Sequence, residues 1–279
     1  MPTVRSGPVI GLTAQLAVLA TLAATVGLDA AGWLAGVGYA AVTCLALSRG
    51  LHLSGASRLG PADRVTLARG VLVGAVTALV VDSFDRPTPV GLLVTLSAVA
   101  LLLDAVDGQV ARRTGTVSAL GARFDMEVDA FLILVLSVYV APAAGSWVLA
   151  IGAMRYVFVA ASAVLPWLRG ALPPRFWRKV VAAAQGVLLT VAAARALGEP
   201  WTTLVLVAAL ALLVESFGRD VAWLWHRRPA PRPARALRPV PTPTLPTATL
   251  PVHTTALPVP RPALAARSAG TVRSDWRPR

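Results

Sequence analysis

Eight apolar stretches follow one another along the chain, at 9–28, 31–48, 65–82, 89–111, 118–141, 145–166, 179–197 and 200–222. Each is close to the ~20 residues that an α-helix needs to cross the hydrocarbon core of a bilayer. A backbone withdrawn from water must satisfy its own N–H and C=O groups, and a helix does so within the segment. Composition agrees with this reading. The 279 residues are 56% hydrophobic and only 14% charged, where a soluble domain carries about 25% charged residues, and mean hydropathy is +0.68. The sequence predicts an all-α integral membrane protein of eight spans. Arg5 ahead of the run from Val9 imitates a signal peptide, but the run is long enough to span and a second span follows closely. It reads as a retained helix.

The breaks between spans carry the charge. Net charge is +13, with one lysine, Lys179, among 26 basic residues. Arginines collect in alternate connections: Arg49, Arg58 and Arg64; Arg112, Arg113 and Arg123; Arg169, Arg175 and Arg178; then eleven from Arg219 onward. The other connections hold Arg86 and Arg195 with Asp29, Asp82, Asp85 and Glu199. By the positive-inside rule this places both termini, and the 112–123 connection, on the cytoplasmic side of the cell membrane. Because the basic excess is split between short loops and a tail, it does not read as a nucleic-acid surface. The segment 227–279 holds twelve of the 22 prolines. It cannot build a core and is expected to be disordered, either lying on anionic lipid or docking a partner through its Pro-rich stretches. Cys44 is the only cysteine, so no disulfide can close within one chain and no cysteine metal site exists. His52, His226 and His253 are scattered, and no catalytic triad, P-loop or dinucleotide fingerprint is present. Several tryptophans (Trp33, Trp167, Trp177, Trp201, Trp223) fall near span ends, as in an interfacial belt.

Against only thirteen acidic residues in the whole chain, four aspartates fall within 26 positions at the edge of two spans. Asp104 and Asp107 are three residues apart, Asp125 and Asp129 four. On helices each pair shares one face. Arg113-Thr-Gly115-Thr supplies a turn between them, so an αα-hairpin would gather all four carboxylates. Carboxylates at a membrane edge are costly to bury and repel one another. A divalent cation held between them resolves both problems, and oxygen ligands suit Mg²⁺ or Mn²⁺ rather than zinc. An ion pathway is a second use for intramembrane carboxylates, but these lie at one membrane face, whereas transporter sites lie near the midplane.

The fixed residues Asp104, Asp107, Gly108, Ala111, Arg112, Gly121, Asp125 and Asp129, with their gaps, match the pattern Asp-x2-Asp-Gly-x2-Ala-Arg-x8-Gly-x3-Asp-x3-Asp. The chain thereby resembles the CDP-alcohol phosphotransferase family. A second run, Asp63-Arg-Val-Thr66-Leu-Ala-Arg69, resembles the family's Asn-x-x-Thr-x-x-Arg, with aspartate in place of asparagine at 63. The resemblance covers roughly 60–222. It implies a six-helix catalytic membrane domain (56–226), preceded by an added two-helix hairpin (1–55) and followed by the tail (227–279).

It also implies an enzyme that transfers a phosphatidyl group from CDP-diacylglycerol to a polar alcohol, with two Mg²⁺ or Mn²⁺ ions and release of CMP. The reverse assignment, a CDP-linked headgroup given to a lipid hydroxyl, uses the same motif. By resemblance Asp104, Asp107 and Asp125 are metal ligands, and Asp129 is the general base, sharing the second metal. The CDP moiety is expected on Asp107, Gly108, Ala111, Arg112, Gly121, Thr66 and Arg69. The small residues there serve either nucleotide approach or helix packing, and Arg112 either a phosphate or membrane anchoring. Arg155, a cation inside an apolar span, is the candidate acceptor contact. Expected partners are membrane lipid and, by the family's habit, a second copy of the chain in a homodimer. The acceptor alcohol is not encoded in any pattern recognised here.

Overall fold

The computed structural model describes residues 6–54, 61–114, 118–173 and 175–228, with side chains described for all of these except 6, 54, 61–62, 107–114 and 119. Every described element is helical: α1 (Ser6–Val26), α2 (Ala30–Ser54), α3 (Pro61–Asp82), α4 (Val90–Thr114), α5 (Ala119–Ala144), α6 (Leu149–Val164), α7 (Phe176–Ala193) and α8 (Glu199–His226), with short 3-10 turns at Ser146–Val148 and Pro166–Arg169. Among the described residues no strand occurs. Seven helices are long and apolar enough to cross a membrane, and an eighth apolar helix, Val90–Val106, is shorter. The chain is therefore a multi-pass membrane protein.

Helix ends follow local chemistry. Gly27, at φ 74°, closes α1 in the left-handed region where a side chain is strained. Ser118 caps α5, its Oγ accepting from Gly121 N at 2.8 Å. Arg169 donates to the carbonyls of Ser162 and Ala163 in the last turn of α6. Several helices run past the apolar stretches that announce them, α2 and α8 furthest at their C-terminal ends. α2 continues to Ser54 because Leu47 and Leu51, one turn apart, seat against Leu67 of α3. α8 reaches His226 because Leu224 is buried and Asp220 pairs with Arg178 at 3.4 Å.

The bundle is arranged around α3. Val73, Ala75, Val76, Ala78, Leu79 and Val80 are all at most 2% exposed, the mark of a helix enclosed on every side. α1, α2, α4 and α5 surround it; α7 packs on α4, α5 and α8, and α6 on α5 and α8. Helices without a hydrophobic driving force between them need close backbone approach, which small residues permit. Gly36 admits Leu19, Gly186 admits Leu101, and a Cβ on Gly152 would stand 2.5 Å from the Cα of Leu134. Outward faces carry Leu34, Val42, Leu45, Val157, Leu204 and Val207 fully or largely exposed, a surface suited to acyl chains. At the end of α3 away from Arg69, Asp82 accepts from Asp29 N at 2.8 Å and from Arg86 Nη2 at 2.7 and 2.8 Å. This latches the α1–α2 turn to the α3–α4 turn.

Candidate active site

Three helices carry buried stripes that end in charge. On α4, Leu93, Ser97 and Ala100 are buried at helical spacing, and Asp104 stands next on the same stripe. On α5, Asp125 and Asp129 precede the buried Leu132, Leu136 and Tyr139. On α3, Asp63, Thr66 and Arg69 are buried below Val73 and Val76. Since α3 packs on both α4 and α5, the three polar ends meet.

Their meeting point is a cluster of three carboxylates around one guanidinium. Oxygens of Asp104, Asp125 and Asp129 all lie within 4.8 Å of one another. Arg69 Nη1 reaches Asp104 Oδ1 at 2.8 Å and Asp125 Oδ1 at 2.5 Å, and Nη2 pairs with Asp129 Oδ1. Arg69 is 1% exposed, whereas the aspartates keep 35%, 34% and 30% of their side-chain surface open. The cation is thus buried behind acids that are themselves about a third exposed. Among the described residues, one guanidinium stands against three carboxylates, an excess of negative charge. Half-open hard oxygens at this spacing fit a divalent cation.

The other expected site residues divide as follows. Asp107, Gly108, Ala111 and Arg112 belong to α4, and their side chains lie outside the described residues. Thr66 is buried on α3 beside Arg69. Gly121 faces Asp63: a Cβ on it would overlap Asp63 Oδ1 and stand 2.9 Å from Ser118 Oγ. Its smallness here admits the α3 carboxylate against the start of α5. Arg155 does not join the cluster; it pairs with Glu127, which sits two residues from Asp125 and Asp129 and so points to the other side of α5. Glu215 of α8 accepts from Trp177 Nε1 at 3.0 Å and pairs with Arg219 at 2.5 Å. With the Arg178–Asp220 pair it knits α7 to α8.

Two features escaped the sequence reading. Arg69 is a brace for the aspartates, and Asp63 is a buried neighbour of the hairpin. The sequence carried a signal that these residues share a face, since Asp63, Thr66 and Arg69 recur every three residues as one polar stripe on an otherwise apolar helix, but none that named their partners.

The family model for CDP-alcohol phosphatidyltransferase matches residues 59–215, more than half of the chain. The chain belongs to that family. No curated protein and no solved structure matches it. As a CDP-alcohol phosphatidyltransferase it is a phosphotransferase of phospholipid synthesis, working in the membrane on a CDP-alcohol and an alcohol acceptor. The family uses divalent metal, and the Asp104–Asp125–Asp129 cluster is a set of residues able to hold one.

Proposed function

We propose that the chain transfers a phosphatidyl group from CDP-diacylglycerol to a polar alcohol and releases CMP. The observation that carries this reading is the convergence of three carboxylates from α4 and α5 on Arg69, inside the stretch that matches the family. Asp104, Asp107 and Asp125 hold two Mg²⁺ or Mn²⁺ ions. When bound, such ions neutralise the pyrophosphate and stabilise the leaving group. Asp129 takes the proton of the acceptor hydroxyl. The alcohol oxygen attacks the lipid-side phosphorus in line, the bond from that phosphorus to the CMP phosphate oxygen breaks, and CMP leaves. Arg69 keeps Asp125 and Asp129 at a fixed separation while this happens. Asp107, Gly108, Ala111, Arg112, Gly121, Thr66 and Arg69 line the cytidine diphosphate, and Arg155 is the acceptor contact.

The same reading sets the architecture. Residues 56–226 form the six-helix catalytic domain, 1–55 a hairpin added before it, and 227–279 a cytoplasmic basic tail, eight spans in all. The arginine distribution puts both termini and the aspartates on the cytoplasmic face of the cell membrane, where CDP-linked substrates are made. The enzyme works as a homodimer.

The test is to incubate purified protein with CDP-diacylglycerol, Mn²⁺ and a panel of polar alcohols, and to identify the lipid formed and the CMP released. Turnover only with a CDP-linked headgroup and a lipid hydroxyl would reverse the assignment. Cation flux in vesicles without any CMP release would replace it with a transport function.

A further inference from the structure

The aspartate cluster stands on three helices, and a fourth supports it from behind. α2 lies wholly before residue 59, outside the stretch that matches the family. Its Tyr39 sits between α3 and α5. The ring stacks on Phe131 of α5, with centroids 4.9 Å apart and planes at 26°. Its hydroxyl oxygen stands 3.7 Å from the place a Cβ on Gly70 would take, and Phe124 Cζ stands 3.8 Å from the same point. Gly70 follows Arg69, and Phe131 lies two residues beyond Asp129. One aromatic side chain therefore abuts the α3 backbone next to the brace and, on α5, a residue two positions from Asp129 on the face turned away from the carboxylates.

α2 also grips α5 on the other side of the aspartates. Leu47 and Leu51 pack with Leu67 against Leu120 and Phe124, and Gly50 admits the Leu120 side chain. α2 thus touches α5 both before Asp125 and after Asp129. A helix held at two points that bracket its reacting residues can neither roll about its axis nor slide. Such freedom matters, because a misplacement of about 1 Å at a reacting group costs on the order of a hundredfold in rate.

We propose that the N-terminal hairpin is a positioning element of the reaction centre, with Tyr39 as its principal residue. The Tyr39 ring sets the spacing of α3 from α5, so that the carboxylates on α4 and α5 keep a geometry that divalent metal can use. This rests on the functional reading above, and it concerns residues that lie outside the family's matched stretch.

The test compares Tyr39→Leu, which removes the ring, with Tyr39→Phe, which keeps it. Mn²⁺ affinity is measured by electron paramagnetic resonance on monodisperse full-length protein in detergent, without substrate, and kcat and KM for CDP-diacylglycerol at saturating Mn²⁺. Partners that orient metal ligands change affinity or activity by roughly 10–100-fold when removed. Tyr39→Leu should weaken Mn²⁺ binding and lower kcat by about that range, with KM for the lipid donor near wild type. Tyr39→Phe should stay close to wild type in both. A merely structural ring would reduce the yield or melting temperature of Tyr39→Leu and leave the Mn²⁺ affinity of the folded protein unchanged, which would overturn the proposal; equal losses in Tyr39→Phe and Tyr39→Leu would too. Should Tyr39→Leu not fold, Phe131→Leu removes the stack from the α5 side and carries the same two expectations. Wild-type protein that binds Mn²⁺ but turns over no CDP-linked donor refutes the functional reading alone, since the metal-binding comparison does not depend on turnover.

Discussion

Replacing Arg69 by methionine keeps an unbranched stem of similar bulk and removes the cation that, among the described residues, joins Asp104, Asp125 and Asp129. Their oxygens lie within 4.8 Å of one another. At that separation each ionised pair repels by roughly 3.5 kcal/mol at an effective dielectric of about 20. Breaking a buried ion pair by deleting one partner costs roughly 3–5 kcal/mol. Here only the arginine is enclosed, at 1% exposure, while the acids are about a third open. Solvent screening lowers the expected loss to about 2–3 kcal/mol, or roughly 5–10 °C of Tm for a chain of this size. Divalent metal supplies the charge that the guanidinium supplied, so added Mn²⁺ should raise the Tm of Arg69→Met more than that of wild type. Arg69→Lys should fall between the two, because an ammonium is a point charge that cannot span three acids as a planar fork does. Thermal unfolding in detergent, followed by tryptophan fluorescence in EDTA and then in Mn²⁺, reads both effects. An Arg69→Met protein as stable as wild type in EDTA, or a gap that Mn²⁺ leaves unchanged, would refute this account of the cluster.

Three further outcomes follow from the same geometry. Asp129→Asn should lower turnover by about a hundredfold or more, the usual contribution of a positioned base, with the helical circular dichroism unchanged; retained turnover would remove Asp129 from that role. Gly152→Ala sets a methyl 2.5 Å from the Cα of Leu134, a backbone atom that cannot swing aside, so it should cost roughly 1–3 kcal/mol in a denaturation experiment. Arg155→Ala frees Glu127 from its partner and should raise KM for the acceptor alcohol while leaving KM for CDP-diacylglycerol unchanged, as steady-state kinetics with each substrate varied in turn will show.

Most of the helices were legible because length and continuous apolarity are local properties. Each of the eight stretches became a helix to within a few residues, and the misses at Ser54 and His226 came from buried leucines that prolong a helix beyond its apolar run. The gathering of Asp104 with Asp125 and Asp129 was legible for a similar reason, since spacings of three and four place them on stripes whose ends can meet. The brace was not. Arg69 is 56 residues from Asp125, and nothing in a single sequence pairs an arginine on one helix with acids two helices later. The resemblance places it at the nucleotide, and its contacts with the carboxylates are a second role that the motif does not spell out. Asp63 was discounted because it replaced an expected asparagine, yet its carboxylate is what Gly121 makes room for. The hairpin lies before the resemblance, and its apolar stretches announce no purpose beyond packing. Packing on α3 and α5 makes α1 and α2 part of the bundle, a fact that apolar stretches alone, with no strongly polar face to give them an orientation, do not reveal.

The enclosure of Arg69 bears on how the protein is made. Translation delivers α3 before α4 and α5, so an arginine within a growing hydrophobic segment has to wait for the acids that will neutralise it. Insertion scales put an arginine at the helix centre at about 2.5–3.5 kcal/mol, an upper bound for one near a membrane face, and any such cost favours a young segment displaced toward the headgroups. Arrival of Asp104, then Asp125 and Asp129, removes that penalty and draws the segment to its final depth. The residues that perform the reaction would then also time the last step of biogenesis. Glycosylation-distance mapping on chains truncated before residue 104 should find the third helix shallower than in the finished protein.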